Sequence, residues 1–123
     1  MASRNYVDLL AWQKSMDLVE LAYRIAKRFP KEEMFALSNQ LRRAAVSIPA
    51  NIAEGQGRGS PGDFRRFLSI AIGSLRETET LVMIARRVSH IDEDEMQGFL
   101  GRSAEVGRLI TGLLNSLARD CPR

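Results

Sequence analysis

Met34, Leu37, Leu41, Ala44, Ile48 and Ile52 recur at alternating steps of three and four, the spacing of an amphipathic helix, and the pattern runs straight through Pro49. A proline inside a helix removes one backbone hydrogen bond and crowds the carbonyl four residues back, here that of Ala45, at a cost of roughly 3 kcal/mol or more. The spacing therefore predicts a helix kinked at Pro49. Local compensation is required. Ser47 and Asn51 flank the proline at helical spacing and can bond freed backbone groups, and Glu54 follows on the same segment. Gly55 and Gly57 are expected to end the helix in the left-handed conformation. Asn51, beside the core position Ile52, reads as a clamp for the bend rather than a ligand-binding residue, because a buried amide left unbonded costs about 1–3 kcal/mol.

Three further runs share the helical period. Leu9, Trp12, Met16, Val19, Tyr23 and Ala26 form the first, stopped by Phe29-Pro30. Ser60-Pro61-Gly62-Asp63 opens the next with a serine cap, a proline at the first helical position and an acid three residues on, and leads into Phe64, Phe67, Ala71, Leu75, Thr78, Val82 and Ala85. Asp92 with Glu95 repeats the capping logic ahead of Met96, Phe99, Ser103, Val106, Ile110, Leu113 and Leu117. The expected helices span about 7–28, 32–54, 61–89 and 92–119. Short connections make consecutive helices antiparallel neighbours, so the 123 residues predict one all-α domain, 1–123, an up-down-up-down antiparallel four-helix bundle.

More apolar surface exists than a single stripe on each helix requires. Leu18, Leu21 and Ile25 form a second stripe on helix 1, Leu68, Ile72 and Leu81 on helix 3, and Leu100, Leu109 and Leu114 on helix 4. Either the core-facing stripe is wide, as in many globular helices, or these residues meet another subunit, with Leu18, Leu21 and Ile25 the candidate interface. Gly73, Gly101, Gly107 and Gly112 each lower helix propensity by about 1 kcal/mol relative to alanine, which makes their helices dependent on packing.

The net charge is only +3, but fifteen of the eighteen basic residues are arginine, whose planar fork suits phosphate and carboxylate. The bias points to nucleic acid or to inter-subunit ion pairs, with a purely compositional origin as the competing explanation. Arg42, Arg43, Arg58, Arg65 and Arg66 cluster in sequence around the helix 2 to helix 3 junction, opposed there by Glu54 and Asp63. Arg58, Arg65, Arg66 and Arg42 are the candidate nucleic-acid-binding residues; Arg43, close after the core position Leu41, reads as a structural residue, with Glu54 or an acid of the next subunit as the partner expected for Arg42 or Arg43.

Catalytic and metal-binding groupings are not legible. The sole histidine, His90, falls in the predicted turn between helices 3 and 4, and the sole cysteine, Cys121, three residues from the end, offers neither a disulfide framework nor a zinc site. Asp92, Glu93, Asp94 and Glu95 suit a helix start, where the dipole stabilises negative charge, better than a metal cluster. Gly55-Gln-Gly57-Arg-Gly59 has neither the preceding strand nor the Gly-Lys-Ser/Thr of a phosphate-binding loop. No apolar run approaches the ~20 residues of a membrane span, and the first residues lack a secretory pattern. The expectation is a cytoplasmic protein with no cofactor, no metal, no membrane partner and no enzymatic activity.

The stretch Gln40–Gly55, QLRRAAVSIPANIAEG, resembles the signature of the 23S ribosomal RNA intervening-sequence proteins, with the diversity-generating-retroelement accessory protein a distant relative. Leu9-Leu10-Ala11-Trp12-Gln13-Lys14 is similar to that family's opening motif, Phe29-Pro30 through Glu33 to its first turn, and Ile70-Ala71-Ile72-Gly73-Ser74-Leu75 with Glu77 to its third helix. The resemblance covers roughly residues 9–85, and the fourth helix matches in pattern only. It implies a homopentamer of up-down bundles and a link to RNA or to nucleic-acid enzymes, and implies no known reaction. Together these readings predict a non-enzymatic oligomeric helical scaffold that binds RNA or a nucleic-acid-processing partner through basic rim residues. The alternative is a structural or protein-partner assembly module without nucleic-acid affinity.

Overall fold

The computed structural model describes residues 5–120. Four long helices, α1 (Leu10–Lys27), α2 (Leu37–Gly57), α3 (Pro61–Arg87) and α4 (Glu93–Asp120), follow one another with single 3-10 turns at Tyr6–Asp8 and Lys31–Glu33. No strand occurs among the described residues. α2 packs against α1 and α3, and α4 against α3 and α1, so the helices ring a shared core that includes Leu41, Ile48, Leu75, Phe99 and Ile110. Residues advancing along one helix meet residues receding along the next. Ser47 touches Ser74 while Gly55 abuts Phe67, and Glu79 bonds Ser103 while Leu75 borders Gly107.

The caps form as their residue types demand. Asp63 N–H donates to Ser60 Oγ at 3.1 Å, with Pro61 at the first helical position of α3. At the start of α4 the pairing is reciprocal: Glu95 N–H donates to Asp92 Oδ1 at 2.8 Å, and Asp92 N–H to Glu95 Oε1 at 3.0 Å. α3 ends two residues before the expected Ser89. Ser89 takes a positive φ of 67°, and His90 N–H reaches back to the Ala85 carbonyl while Ser89 N–H reaches that of Arg86. Those paired bonds close the helix end without a glycine.

α2 departs from expectation at both ends. It begins at Leu37, not near residue 32, because Ala36 at φ −123°, ψ −107° cannot continue a helix backwards; the Glu33 carboxylate accepts the Leu37 N–H at 3.4 Å instead. Met34 consequently lies outside the helix and exposed. At the other end Gly55 and Gly57 are helical, and the left-handed backbone sits at Gly59, φ 80°. Gly55 serves close approach rather than termination. A Cβ there would lie 2.5 Å from the Phe67 Cβ.

α1 is rotated by about one residue from its expected phase. The buried seam is Ala11, Ser15, Leu18, Ala22 and Ile25; of the expected stripe only Ala26 is buried, whereas Met16 and Tyr23 are exposed and Leu9, Trp12 and Val19 half-buried. Small side chains at Ala11, Ser15 and Ala22 let α1 approach its neighbours closely, and the seam then lies between two stripes of larger residues. Leu18 and Ile25, expected at a subunit interface, are 1% and 4% exposed in the single chain and belong to its own core; Leu21 is half-buried. Leu68 and Leu81 are likewise buried, so the added stripes of α1 and α3 widen the core face. The outward apolar residues are others: Met16 and Tyr23 on α1, Val46 on α2, Ile70, Met83 and Ile84 on α3, and Phe35 at 89% exposure before α2.

Candidate functional site

Phe67, nearly two turns into α3 and buried against Gly55, organises the basic end of the molecule. Because Gly55 has no side chain, α2 and α3 come together there. Arg58 at the end of α2 and Arg66 on α3 both lie over the Phe67 ring, at 5.0 and 4.6 Å from its centroid. Each also has an acid on its own helix: Arg58 Nη2 bonds Glu54 Oε2 at 2.9 Å, and Arg66 Nη2 is 3.7 Å from Asp63 Oδ1. These pairs are exposed, and such contacts contribute about 0–1 kcal/mol. Arg65 is exposed and has no ion pair among the described residues. Three of the four candidate arginines therefore share one end of the fold.

Arg42 does not join them. It sits roughly 24 Å back along α2 at ~1.5 Å per residue and lies over the Tyr23 ring of α1, 5.9 Å from the centroid. Glu54, expected to hold Arg42 or Arg43, holds Arg58. Arg43 is exposed and borders a polar surface hollow with Asn39, Gln40 and Glu77. Phe67 read as a core position alone; its part in holding Arg58 depends on Gly55 bringing the two helices together, a contact that no helical period encodes.

The segment around Pro49 carries a ladder of hydrogen bonds. Pro49 is buried within α2. Asn51 Nδ2 donates to the Ser47 carbonyl at 2.7 Å and to Ser47 Oγ at 2.9 Å, Ser47 Oγ is 2.7 Å from Ser74 Oγ on α3, and Thr78 Oγ1 donates to the Ser74 carbonyl at 2.7 Å. Asn51 thus bonds backbone one turn behind, spanning the proline. Through Ser74 the ladder also ties α2 to α3.

His90 stands where the turn between α3 and α4 meets the α1–α2 connection. Its Nε2 lies 2.8 Å from Glu33 Oε2, and its ring leans on Phe29 with centroids 5.4 Å apart. The His90 hydrogen bond, with that of the Leu37 N–H, holds the Glu33 carboxyl below its ordinary value of 4.5. Glu93 is lowered too, by hydrogen bonds from Gln97 and then Arg86. Cys121 lies outside the described residues. Among those described, no group of three or more histidine, cysteine, aspartate or glutamate side chains could hold a metal, and no helix is long and apolar enough to cross a membrane.

Four packed helices with an arginine-rich end and an internal hydrogen-bond ladder define an all-α helical protein whose polar features lie between helices and at one end of them. The chain belongs to the 23S rRNA-intervening sequence protein family, whose model matches residues 7–112. Among solved structures it is similar to a protein with unknown function from the S23 ribosomal protein family of Bacteroides thetaiotaomicron, at 25% identity and a TM-score of 0.79, covering 85% of this chain and 98% of that one. No curated protein matches.

Proposed function

We propose that the protein is a non-enzymatic, cytoplasmic, oligomeric scaffold, an up-down-up-down antiparallel bundle with α2 bent at Pro49, that binds RNA through Arg58, Arg65 and Arg66. The observation that carries this reading is the gathering of those three arginines at one end. Two are stacked on a ring and paired only with exposed acids, so exchanging Glu54 or Asp63 for a phosphate costs little. Stacking on Phe67 leaves the guanidinium edges free to bond phosphate oxygens. Family membership supports RNA as the partner class. Repetition of the same end in an oligomer multiplies weak contacts into avidity.

Oligomerisation is supported by the outward apolar residues Met16, Tyr23, Val46, Ile70 and Ile84, and by Gly73, where a Cβ would meet nothing within 4 Å. Glycine at such a helix position has no internal packing reason, and a close external neighbour provides one. A second reading, a protein-partner assembly without nucleic-acid affinity, is favoured by the same apolar surface together with the self-paired state of Arg58 and Arg66.

Salt separates the two. If the arginines neutralise phosphates, the logarithm of the affinity for a structured RNA falls linearly with log salt, with a slope of about 0.7–0.9 per phosphate contacted. Changing Arg58, Arg65 and Arg66 together to glutamine is expected to flatten that slope and weaken binding about equally across RNA sequences, read by fluorescence anisotropy at two salt concentrations. Absence of binding at low salt, or binding indifferent to the triple change, selects the protein-partner scaffold.

A further inference from the structure

Away from the basic end, the seam between α2 and α3 opens into a hollow of about 500 Å³. Asn39, Gln40, Arg43 and Ser47 of α2 line it together with Glu77 of α3 and Phe35 from the turn before α2. Ser47 is engaged already, by Asn51 and Ser74. The other polar side chains are not: among the described residues Asn39, Gln40, Arg43 and Glu77 make no side-chain hydrogen bond and no ion pair. Arg43 and Glu77 are exposed, carry opposite charges and border one hollow, yet do not pair with each other. Phe35 is 89% exposed, and its ring contacts no other ring among the described residues.

An accessible aromatic face beside free donors and acceptors suits a flat ring with hydrogen-bonding edges. Unpaired nucleotides are read in this way, by stacking on an aromatic side chain and by hydrogen bonds to the exposed base edges. The two charged groups narrow the choice of base. A guanidinium donates parallel N–H groups, and a carboxylate accepts a pair of them. Guanine fits both: its O6 and N7 accept from arginine, and N1–H with the N2 amino group donates to a carboxylate from the adjoining edge. Adenine and cytosine set a ring lone pair beside their single amino group, and uracil flanks its one N–H with two carbonyls. Each would turn a lone pair towards the Glu77 carboxylate.

We propose that the α2–α3 hollow takes one unpaired guanine, its ring on Phe35, its O6 and N7 at Arg43, and its N1–H and N2 amino group at Glu77. The guanine belongs either to a free nucleotide or to an RNA loop. For the RNA loop the assignment rests on the RNA reading above and deepens it; for the free nucleotide it stands without Arg58, Arg65 and Arg66. Arg43 and Arg58 are roughly 22 Å apart along α2 at ~1.5 Å per residue, so the base site and the phosphate contacts are separate places on one helix. The arginines at the end of α2 bind any strand, and the hollow adds a preference among bases.

Two assays on the full-length chain test the assignment: fluorescence anisotropy with RNA hairpins that differ in one loop base, and ligand-observed NMR with guanosine and adenosine monophosphate. The guanine hairpin is expected to bind about tenfold tighter than the adenine, cytosine and uracil hairpins, with inosine, which lacks the N2 amino group, in between. Glu77→Gln and Arg43→Gln should each erase that preference, and Phe35→Ala should weaken guanine binding severalfold. All three side chains are exposed, so the circular dichroism of the variants should match that of the wild type. In the Arg58, Arg65 and Arg66 triple glutamine variant, every hairpin should weaken alike while the guanine preference survives. Guanosine monophosphate binding that depends on Glu77, with no hairpin bound, would support the site with a free nucleotide as its ligand and end the RNA reading alone. Hairpin binding indifferent to the loop base, with no preference for the guanine nucleotide, would overturn the site and leave the RNA reading standing. No binding in either assay, or a guanine preference that survives both Glu77→Gln and Arg43→Gln, would also overturn it.

Discussion

Gly55 and Phe67 show how much rests on a single missing methyl group. The Phe67 Cβ is attached to the backbone of α3 and cannot swing aside, so a methyl at residue 55, 2.5 Å from it, forces the two helices apart. Overpacking of this kind costs typically about 1–3 kcal/mol. Gly55→Ala is therefore expected to lower the unfolding free energy by that much, read as a lower urea midpoint, and also to loosen Arg58 from the Phe67 ring; an unchanged midpoint would mean that α2 and α3 are farther apart in solution. Glu33 supplies a prediction of a different kind. Its folded-state carboxyl is depressed below 4.5 by the His90 and Leu37 hydrogen bonds, so the stability it contributes is present above that value and is lost as pH falls through the folded value. Comparing wild type with Glu33→Gln by urea denaturation across the acid range should reveal a stability gap that closes as pH falls below 4.5. A gap independent of pH would remove the charge from the account.

At the scale of the element, α2 is the unusual helix, since Pro49 denies the Ala45 carbonyl its partner in the middle of a buried segment. Beside it, Asn51, Ser47 and Ser74 form a ladder that bonds the Ser47 carbonyl on α2 and the Ser74 hydroxyl on α3. Asn51→Ala removes two of these bonds at once and should cost about 1–3 kcal/mol, read by chemical denaturation. Pro49→Ala restores a backbone donor and is expected to straighten α2 and raise helicity. A crystal structure of that variant with the bend unchanged would assign the geometry to packing against α3, and a straightened α2 that still assembles would free the oligomer from dependence on the bend.

For the whole molecule, the decisive quantity is the apolar surface that one chain leaves in water. Met16, Tyr23, Val46, Ile70 and Ile84 remain exposed on three helices. Covering such side chains gains about 25 cal/mol per Å² of apolar area. Light scattering at micromolar concentration is expected to give a mass several times 13.8 kDa, and five times if the pentamer implied by the family resemblance forms. Ile70→Glu, on an outward position of α3, should dissociate the assembly without unfolding the chain. A monodisperse wild-type monomer would rule out the oligomer and leave the arginine end without multiplication.

Helix number, the passage of α2 through Pro49, the caps at Ser60 and Asp92, and the bonding of Asn51 to backbone one turn behind were all legible in the residue pattern, because each depends on neighbours within one or two turns. The inward faces of α3 and α4 were legible too: Phe67, Ala71, Leu75, Thr78, Val82 and Ala85 on α3 and Phe99, Ser103, Val106 and Ile110 on α4 are buried at the expected period. For α1 the pattern misled: two stripes of similar hydrophobicity lie about 100° apart, and the one that went inward contains Ala11, Ser15 and Ala22. Bulk alone marks the wrong face when a helix packs closely. Only the tertiary structure could decide that phase, because it depends on the space the other three helices leave. The same holds for Gly55 against Phe67, for Glu54 holding Arg58 rather than Arg42, and for the hollow between α2 and α3. Periodicity along a chain encodes which side of a helix is apolar; how near the next helix stands, and which charges it brings, is a property of the assembled core.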